Sequence, residues 1–446
     1  FIGVGGIGVS SLARWFLDEK CAVSGSDASP SNLLKDLGKD GVKVKIGHKK
    51  GHITPKIGLV IYSQAVDKAK NPEAVQARRL GIPLLSYPQT VGLLTQMYKT
   101  VAVSGAHGKS TTTALASLVL KEGGLDPTVI IGTKLREFGG KNFRRGRGRY
   151  LVLEADEWKA SFLNYSPALA VITNIDKEHL DFYKNFGSIK KTFLKFVSCM
   201  KRGGILVLNK DSKNLFLLKS RIESICRGKN VRIIWYSLNS SEVRKIKKIM
   251  KIPGEHNVSN ALAAYKIGKL LGVPEKKIFR AISNYRGSWR RFEYRGKLPT
   301  TNYDLLIYDD YAHHPTEIKA TLRAFREKYV HSPIICVFQP HQALRLKSLF
   351  GEFKDAFRDA DILVLLPIYR VAGRDKVNPR FTSKKLAIAI KRKYPKKQVS
   401  YLPNPLRLKT FLTKLAHDSR FSFHDSVLVM MGAGNIVNYT DNLLKK

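Results

Sequence analysis

The stretch Val101-Ala-Val-Ser-Gly105-Ala-His-Gly108-Lys109-Ser110-Thr-Thr-Thr113 decides the fold and indicates a phosphate-binding site. An apolar strand runs into a glycine turn, and a lysine and several hydroxyls then open a helix. Glycines let backbone N–H groups converge on phosphate oxygens, the helix N-terminus adds its dipole, and the Ser110 hydroxyl can ligate Mg²⁺. We therefore expect a P-loop-type unit that binds a nucleoside triphosphate together with Mg²⁺.

The match to the full pattern G-x-x-x-x-G-K-[ST] is incomplete. Val103 stands where the first glycine of that pattern falls, so only the core Gly105-x-x-Gly108-Lys109-Ser110 is present. An ordinary strand–turn–helix connection is the alternative interpretation. The strand before the core and the threonine-rich helix start after it favour the nucleotide site.

A second glycine cluster, Gly3-Val-Gly5-Gly6-Ile7-Gly8, opens the chain. A helical pattern follows at 9–17, and then a strand pattern at 22–27 that ends in Asp27. This arrangement fits the dinucleotide fingerprint with its ribose-binding acid, and alone it suggests a nicotinamide dehydrogenase. Its physics requires only a diphosphate on a helix N-terminus, which a UDP-sugar supplies equally well. A glycine turn without a ligand is the third interpretation.

The length and composition indicate a multidomain globular protein. A chain of 446 residues is too long for one core, and about three domains of ~150 residues are expected. Hydrophobic residues make up 43% of the chain and charged residues 25%, and no apolar run reaches the ~18 residues of a membrane span. Four scattered cysteines favour a reducing, cytoplasmic setting. Phe1 lies inside an apparent strand, so we expect residues upstream of it.

The net charge is +43, from 78 Lys+Arg against 35 Asp+Glu. Such a surface attracts anions, and nucleic acid is the first candidate partner. The cations are dispersed, however, and no aromatic-interleaved basic tract or zinc finger occurs. We therefore expect a solvated basic surface without a nucleic-acid partner, and a nucleic-acid-binding ATPase is kept as an alternative.

Apolar strands alternate with helical patterns, which predicts three α/β domains with parallel sheets flanked by helices. We expect a Rossmann-like N-terminal domain at residues 1–99, a P-loop-type central ATPase domain at 100–292 and a Rossmann-like C-terminal domain at 293–446. A helix is predicted at 71–80. Strands are predicted at 57–62, 83–86, 150–153, 168–173, 204–208, 305–308, 334–338, 362–366 and 426–431.

Acidic residues follow two of the strands predicted in the central domain. Glu154 and Glu157 follow one strand, and His179 and Asp181 lie beyond the next. A carboxylate at a strand end can meet a metal held at the phosphate cradle. Because Mg²⁺ prefers oxygen ligands, Glu154 is the stronger candidate and His179 the less usual one. We expect Glu157 and Asp181 to be surface acids or to lie outside the metal's direct ligands.

Seven motifs, in order along nearly the whole chain, resemble those of the Mur ligase family. They are Gly3-x-Gly5-Gly6-x-Gly8, Gly105-Ala-His-Gly108-Lys109-Ser110-Thr-Thr, Glu154-Ala-Asp-Glu157, Thr173-Asn174-Ile-Asp-x-Glu-His179, Gly254-Glu-His256-Asn257-x-x-Asn260-Ala, Arg290-Arg291-Phe292-Glu and Asp309-Asp310-Tyr311-Ala-His313-His314-Pro315-Thr-Glu317. Read as a set, they favour a ligase over a dehydrogenase, which would leave the central motifs without a role.

The resemblance implies an ATP-dependent ligase of peptidoglycan precursor synthesis. In such enzymes ATP phosphorylates the lactyl carboxylate of UDP-N-acetylmuramate, and the amine of an amino acid then displaces phosphate to form an amide. Positioning and cationic stabilisation supply most of this catalysis. The motifs are most similar to those of the members that add L-alanine. A ligase that recycles murein peptide onto the same UDP-sugar is the alternative within the family.

The resemblance also implies roles for individual residues. Lys109 would hold the β- and γ-phosphates, Ser110 and Glu154 the first Mg²⁺ and His179 a second, while Arg291 would reach the phosphates. The other ATP-binding candidates are Gly105, Ala106, His107, Gly108, Thr111, His256, Asn257, Asn260 and Asp310. The UDP-sugar candidates are Gly5, Gly6, Ile7, Gly8, Asp27 and Ser63. The amino-acid candidates are Tyr311, His313 and Arg345, in the C-terminal domain that would close over ATP.

Two departures from the family pattern affect these expectations. Ala106 replaces a threonine of the cradle, which removes a hydroxyl but no backbone donor. Gln342 stands where relatives carry an arginine, and it cannot supply a charged fork for the amino-acid carboxylate, so Arg345 would have to do more. The identity of the amino acid is therefore open at this point.

Overall fold

The computed structural model describes residues 1–299, 304–370, 375, 380–416 and 426–445. The chain forms two compact units. The first unit contains Phe1–Glu178, Asn185–Ile249 and Ser259–Tyr285, and the second contains His179–Lys184, Met250–Val258 and Arg286–Lys446. The predicted α/β class with parallel sheets is confirmed. The domain boundaries expected at residues 99/100 and 292/293 stay a prediction.

The first hundred residues form a small parallel sheet with helices on it. The elements are α1 (Ile7–Asp18), β1 (Ser24–Asp27), α2 (Asn32–Asp40), β2 (Lys43–Ile46), β3 (Val60–Tyr62), α3 (Pro72–Arg79), β4 (Leu84–Ser86) and α4 (Tyr87–Met97). Strand β1 pairs with β2, and β3 pairs with β4. The expected opening strand is reduced to Ile2, which forms parallel bridges to Ser26 and Tyr62. It stops there because Gly3 turns the chain with φ +75°.

The rest of the first unit is built on a seven-stranded sheet in the order β11-β10-β9-β5-β8-β6-β7. All neighbours are parallel except β6 and β7, which form an antiparallel hairpin. The strands are β5 (Lys99–Ser104), β6 (Thr128–Leu135), β7 (Lys141–Arg144), β8 (Tyr150–Glu154), β9 (Leu169–Ile172), β10 (Ile205–Asn209) and β11 (Arg232–Tyr236). The helices are α5 (Lys109–Glu122), α6 (Phe186–Ser198), α7 (Lys213–Phe216), α8 (Lys219–Gly228), α9 (Glu242–Ile249), α10 (Glu255–Leu270) and α11 (Glu275–Asn284).

Strand β5 is the central strand of this sheet, and helix α5 packs against it. Val101, Ala102 and Val103 are almost fully buried, as expected for a parallel strand covered on both faces. Helix α5 is buried from Ser110 to Leu120. Strand β5 pairs with β8 on one side and with β9 on the other, so the carboxyl ends of three strands meet beside the start of α5. In open α/β sheets, ligands bind at such an edge.

The second unit contains a six-stranded sheet in the order β12-β13-β17-β14-β15-β16. The β12–β13 pair is antiparallel and the other pairs are parallel. The strands are β12 (Glu293–Pro299), β13 (Asp304–Asp310), β14 (Ile334–Phe338), β15 (Ile362–Leu365), β16 (Gln398–Tyr401) and β17 (Val427–Met431). The helices are α12 (Pro315–Lys328), α13 (Ala343–Ser348), α14 (Phe350–Phe353), α15 (Ser383–Lys393), α16 (Leu408–Ala416) and α17 (Ile436–Leu444).

Alternate residues of β14 enter two separate hydrophobic cores, one on each face of this sheet. Ile334, Cys336 and Phe338 belong to one core, and Ile335 and Val337 belong to the other. This two-sided burial is the reason why the strand reads as an unbroken apolar run rather than as an alternating one.

The predicted elements are present, and their ends differ by up to three residues. The strand expected at 57–62 begins only at Val60, because the backbone turns at Thr54–Ile57. The helix expected at 71–80 spans Pro72–Arg79, and the Asn71 side chain caps it by accepting from the N–H groups of Glu73 and Ala74. Among the described residues, no helix combines the length and apolar character that crossing a membrane requires.

A buried polar network joins the first hundred residues to the β6–β7 hairpin. The Arg14 side chain, on α1, donates to Asp40 (2.7 Å) and to the Asn142 side-chain carbonyl. Asn142, on β7, is fully buried and donates in turn to the Ile7 carbonyl and to Ser10 Oγ. Buried hydrogen bonds of this kind are costly to leave unmade, so the network fixes α1 against the hairpin.

Two glycines near the start of the chain predict opposite effects of alanine on stability. A Cβ at Gly25, in β1, would lie 2.7 Å from Val4 Cγ1, whereas a Cβ at Gly38, in α2, would meet no atom within 4 Å. We expect Gly25→Ala to lower the free energy of unfolding by about 1–3 kcal/mol through crowding. We expect Gly38→Ala to raise it by about 0.5–1 kcal/mol, because alanine loses less entropy in a helix. Urea unfolding checks both; shifts of the same sign would contradict the packing described here.

Candidate active site

The loop between β5 and α5 has the backbone of a phosphate cradle. Gly105 has φ +131° and Gly108 has φ +83°, and both values are in the region that favours glycine. The space around these two glycines also excludes a side chain. A Cβ at Gly105 would overlap Thr173 Oγ1, and one at Gly108 would overlap the side chain of Asn260. The two glycines are therefore required where the sequence predicted them, directly before the N-terminus of α5.

Two residues that follow β9 hold this loop. The Thr173 hydroxyl donates to the His107 carbonyl (2.6 Å). The Asn174 side chain accepts from the His107 N–H (2.9 Å) and donates to the His107 carbonyl (2.9 Å), and the Asn174 carbonyl accepts from the Ala106 N–H (3.2 Å). Ala106 thus keeps a structural bond through its backbone despite lacking a hydroxyl. The sequence placed Thr173 and Asn174 in a motif but assigned them no role.

The ammonium of Lys109 lies between the loop and a buried carboxylate. Its Nζ donates to the Gly105 carbonyl (2.7 Å) and to Glu157 (2.9 Å), and Asp156 is 3.8 Å away. Burial alone would lower the pKa of Lys109, but the charges of Glu157 and Asp156 outweigh it and raise the pKa. The lysine therefore stays cationic. Glu157, expected to be a surface or outer acid, is only 1% exposed, so the surface alternative is wrong and its partner is Lys109.

The two metal candidates of the first unit lie at the same sheet edge. Ser110 is buried in the first turn of α5, and Glu154 ends β8 with Val103 as its neighbour on β5. Glu154 accepts a hydrogen bond from the Gly132 N–H (2.8 Å). The third candidate, His179, belongs to the second unit, where it has φ +53° and its carbonyl accepts from Phe182 and Tyr183.

The glycine turn at the start of the chain gathers all the predicted UDP-sugar residues. Helix α1 begins at Ile7, and no side chain caps its N-terminus. The Gly5 N–H donates to Asp27 (2.8 Å), and Gly3 packs against Ser63. Gly8 lies against the ring of Tyr87. The partly buried N-terminus of α1 therefore presents backbone donors of the kind that suit an anion.

Tyr87 contacts this turn and is affected by the charges of two carboxylates at the end of β8, Glu154 and Asp156. Its ring contacts Gly8, and its pKa is raised by burial and then by the charges of Glu154 and Asp156. These carboxylates are thus close enough to act on a side chain that packs against the glycine turn. The turn and the phosphate cradle belong to one compact unit.

The three residues expected on the adenine side all lie near the start of α10, where the division between the two compact units falls after Val258. Asn260 lies beside Gly108 in the first unit and accepts from the Thr112 hydroxyl (3.2 Å). His256 and Asn257 are in the second unit, where the Asn257 amide donates to the Pro253 carbonyl (2.7 Å). His256 is buried, and burial lowers its pKa to about 4; the charge of Glu317 opposes this shift and the charge of Arg291 adds to it. Its imidazole is therefore neutral at pH 7.

Asp310 accepts hydrogen bonds that stabilise the surrounding chain, apart from any contact with ATP. One carboxylate oxygen accepts from the Phe292 N–H (2.8 Å), and the other from the Ala312 N–H (2.9 Å) and the Thr321 hydroxyl (3.3 Å). Burial raises its pKa. The guanidinium of Arg291 lies 5.3 Å from the centre of the Tyr311 ring. Asp310 and Arg291 thus flank one turn of the second unit, and the ribose contact expected of Asp310 stays a prediction.

The three amino-acid candidates are brought together around a residue to which no role was assigned. The Tyr311 and His313 rings are 5.4 Å apart, and the His313 and His341 rings are 5.8 Å apart. Arg345 Nη1 is 3.1 Å from His341 Nδ1 and donates to the His341 carbonyl (3.2 Å). The ring of His341 stacks on Tyr369 at 5.5 Å. The position of His341 just after β14, beside the sheet edge where β13 ends, is the signal that could have identified it.

Gln342 begins α13 in a conformation that is unusual for a residue with a side chain. It has φ +69°, it is buried, and its N–H donates to the Tyr369 carbonyl (3.0 Å). The hydrogen bond to Tyr369 therefore fixes the backbone at this position. Arg345 is the nearby candidate that supplies a guanidinium.

A phosphate cradle on a parallel sheet, a second glycine turn in the same unit and a further α/β sheet define a multidomain nucleotide-binding enzyme of the α/β class. Three family models match the chain: "Mur ligase family, catalytic domain" at residues 1–99, "Mur ligase middle domain" at 103–268 and "Mur ligase, glutamate ligase domain" at 290–434. The chain belongs to the Mur ligase family, whose members are ATP-dependent ligases, and the resemblance seen in its motifs is confirmed.

Individual relatives resemble the chain over its whole length. A UDP-N-acetylmuramate–L-alanine ligase of Agathobacter rectalis is 36% identical, with 100% of this chain and 97% of the relative covered. One of Anaeromyxobacter sp. is 37% identical, with coverages of 100% and 96%. Among solved structures, UDP-N-acetylmuramate-alanine ligase MurC from Thermotoga maritima has a TM-score of 0.79 at 24% identity, covering 100% and 97%. A murein peptide ligase from Psychrobacter arcticus has a TM-score of 0.70 at 21% identity, covering 99% and 97%.

The buried His256 predicts a specific loss of stability in acid. Its pKa is about 4 in the folded chain and 6.5 ordinarily, so between these values the unfolded state binds a proton that the folded state does not. The free energy of unfolding should therefore fall as the pH drops from about 6.5 to about 4, by up to roughly 3 kcal/mol. The variant His256→Gln should lack this part of the fall. Stability–pH curves that run parallel for the two proteins would contradict it.

Proposed function

We propose that this protein joins L-alanine to the lactyl carboxylate of UDP-N-acetylmuramate, using ATP and an acyl phosphate intermediate. The observation that carries the proposal is that Lys109, in the cradle, and the glycine turn at Gly5–Gly8 belong to one compact unit. A protein that activates the acid end of a UDP-sugar must hold two phosphate-bearing molecules near each other, and this unit offers two helix N-termini for them. The full-length relatives with this activity support the same conclusion.

The residues of the chain account for the first chemical step. Lys109 is kept cationic by Glu157 and Asp156, so it can stabilise the charge that develops on the transferred phosphoryl group. The N–H groups at the start of α5 add donors that need no reorganisation. Ser110 and Glu154 fit Mg²⁺, because hydroxyl and carboxylate oxygens are its preferred ligands, and the bound ion would neutralise phosphate oxygens. We propose His179 as a ligand of a second Mg²⁺.

In the second step, the protein must bind the carboxylate of the amino acid so that the amine can attack. Arg345 supplies a guanidinium beside His341, and Tyr311 and His313 line the same group. A guanidinium matches a carboxylate with two parallel hydrogen bonds. The attacking nitrogen must be neutral, and the acyl phosphate then loses phosphate as the amide forms.

We also propose a cytoplasmic location, which is supported by the four free cysteines.

The direct test measures ADP and phosphate released by the purified protein. Release should require ATP, Mg²⁺, UDP-N-acetylmuramate and L-alanine together, and Lys109→Met should lower turnover by at least about 10²-fold, because a cation is lost from the phosphoryl site. Absence of ADP with any amino acid would overturn the proposal. Competition between L-alanine and a murein tripeptide distinguishes the recycling ligase. Binding of NADH would instead favour a dehydrogenase, and stimulation of ATP turnover by DNA would favour a nucleic-acid-binding ATPase.

Arg345 should control the affinity for the amino acid. We expect Arg345→Lys to raise KM for L-alanine about tenfold or more, because an ammonium cannot make the two-pronged contact, and to leave KM for ATP unchanged. Arg323→Lys is the matched control: this arginine is 67% exposed on α12 of the same unit. Equal KM values for L-alanine in the two variants would show that Arg345 does not hold the carboxylate.

A further inference from the structure

The segment that follows Glu157 has a strained backbone. Lys159 has φ 50° and ψ 28°, and Ala160 has φ 56° and ψ 29°, so two successive residues with side chains adopt the left-handed conformation. In this conformation the Cβ atom crowds the following carbonyl oxygen, so each such residue is less stable than in the right-handed form. Strain of this kind persists where the surroundings impose it, and it is concentrated at functional sites.

Hydrogen bonds tie this segment to the predicted UDP-sugar site. Lys159 Nζ donates to the Gln64 carbonyl (2.7 Å), and the Ser161 hydroxyl is 2.5 Å from Gln64 Oε1. Gln64 directly follows Ser63, which packs beside Gly3 of the glycine turn. At its other end, the segment is anchored to the ATP cradle, because the Ala160 N–H donates to the carbonyl of Glu157, the partner of Lys109.

The charge of Lys159 is not neutralised by the fold. Its side chain is exposed, its ammonium lies 4.9 Å from the centre of the Trp158 ring, and its hydrogen-bond acceptor is a neutral carbonyl. Among the described residues, no carboxylate lies within ion-pair distance of it. The strained backbone therefore places the ammonium of Lys159 beside Gln64, next to the predicted UDP-sugar residue Ser63, and no carboxylate of the described residues pairs with it.

The UDP-sugar candidates themselves provide no positive charge. The glycine turn offers only backbone donors, Ser63 is neutral, and Asp27 adds a negative charge. The first cation of α1, Arg14, is buried and bonded to Asp40 and Asn142. A cation that pairs with the diphosphate or the carboxylate of the substrate must therefore come from another part of the chain.

We propose that Lys159 is a substrate-binding residue whose ammonium pairs with an anionic group of the UDP-sugar. This inference rests on the proposed function. The anion is either the diphosphate or the lactyl carboxylate, since both are present on one molecule and both pair with an ammonium. The left-handed backbone at Lys159 and Ala160 serves to direct this side chain toward Gln64.

The test measures dissociation constants by calorimetry for wild type, Lys159→Asn and Lys159→Arg. Asparagine removes the charge and tolerates the left-handed backbone, so it should not lower Tm. We expect Lys159→Asn to weaken binding of UDP-N-acetylmuramate about three- to tenfold, a range set by the exposure of the lysine, and to reduce the salt dependence of binding. Binding of an ATP analogue should not change, and Lys159→Arg should restore most of the affinity for the UDP-sugar.

Lys20→Asn is the matched control, because Lys20 is also an exposed lysine with a left-handed backbone (φ +63°), at the far end of α1 from the glycine turn. UDP-N-acetylglucosamine, which has the diphosphate but no carboxylate, identifies the anion. A loss with both sugars assigns the diphosphate, and a loss with UDP-N-acetylmuramate alone assigns the carboxylate. Equal affinities for Lys159→Asn and Lys20→Asn, or a loss of Tm that accounts for the weaker binding, would overturn the inference. Failure of wild type to bind either sugar would instead overturn the proposed function, and this inference with it.

Discussion

The hydrogen bonds between the end of β9 and the loop after β5 are the constraint on which the ATP cradle depends. Thr173 and Asn174 hold both sides of the His107 peptide, while Gly105 fits against Thr173 with no room for a side chain. The loop is thereby fixed before any nucleotide arrives, and its N–H groups keep their direction. Preorganised donors of this kind stabilise a developing charge without reorganisation at the moment of reaction.

The features that could be predicted from the sequence are those that depend on a local pattern of residues. The glycines of the cradle and of the first turn were identified because a tight turn before a helix N-terminus needs residues without side chains, at fixed spacing. The buried strands β14 and β17 were predicted nearly to the residue, because parallel strands covered on both faces are unbroken apolar runs. The ends of shorter strands, such as β3, were misplaced because a turn can be as apolar as the strand that follows it.

Relations that depend on the order of strands in a sheet were not predictable from the sequence. Glu157 was expected to be a surface acid or to lie outside the metal's direct ligands, since no local pattern reveals that the chain returns to place it beside Lys109. Likewise, nothing near Asn174 signals that β9 is the neighbour of β5, and the position of His341 just after β14 does not by itself reveal that His313 lies beside it. In each case the partner comes from a distant part of the chain, and only the assembled sheet brings the two together.

The network around Arg14 limits how the first hundred residues can be exchanged between relatives. A fragment that ends at residue 99 would keep Arg14 and Asp40 but lose Asn142, and with it the donors to the Ile7 carbonyl and to Ser10 at the start of α1. That start carries the backbone donors proposed for the UDP-sugar. A chimaera joined at residue 99 would thus contain the glycine turn but lack the hydrogen bonds from Asn142 that hold it. The segment to exchange between relatives is therefore the first hundred residues together with the β6–β7 hairpin.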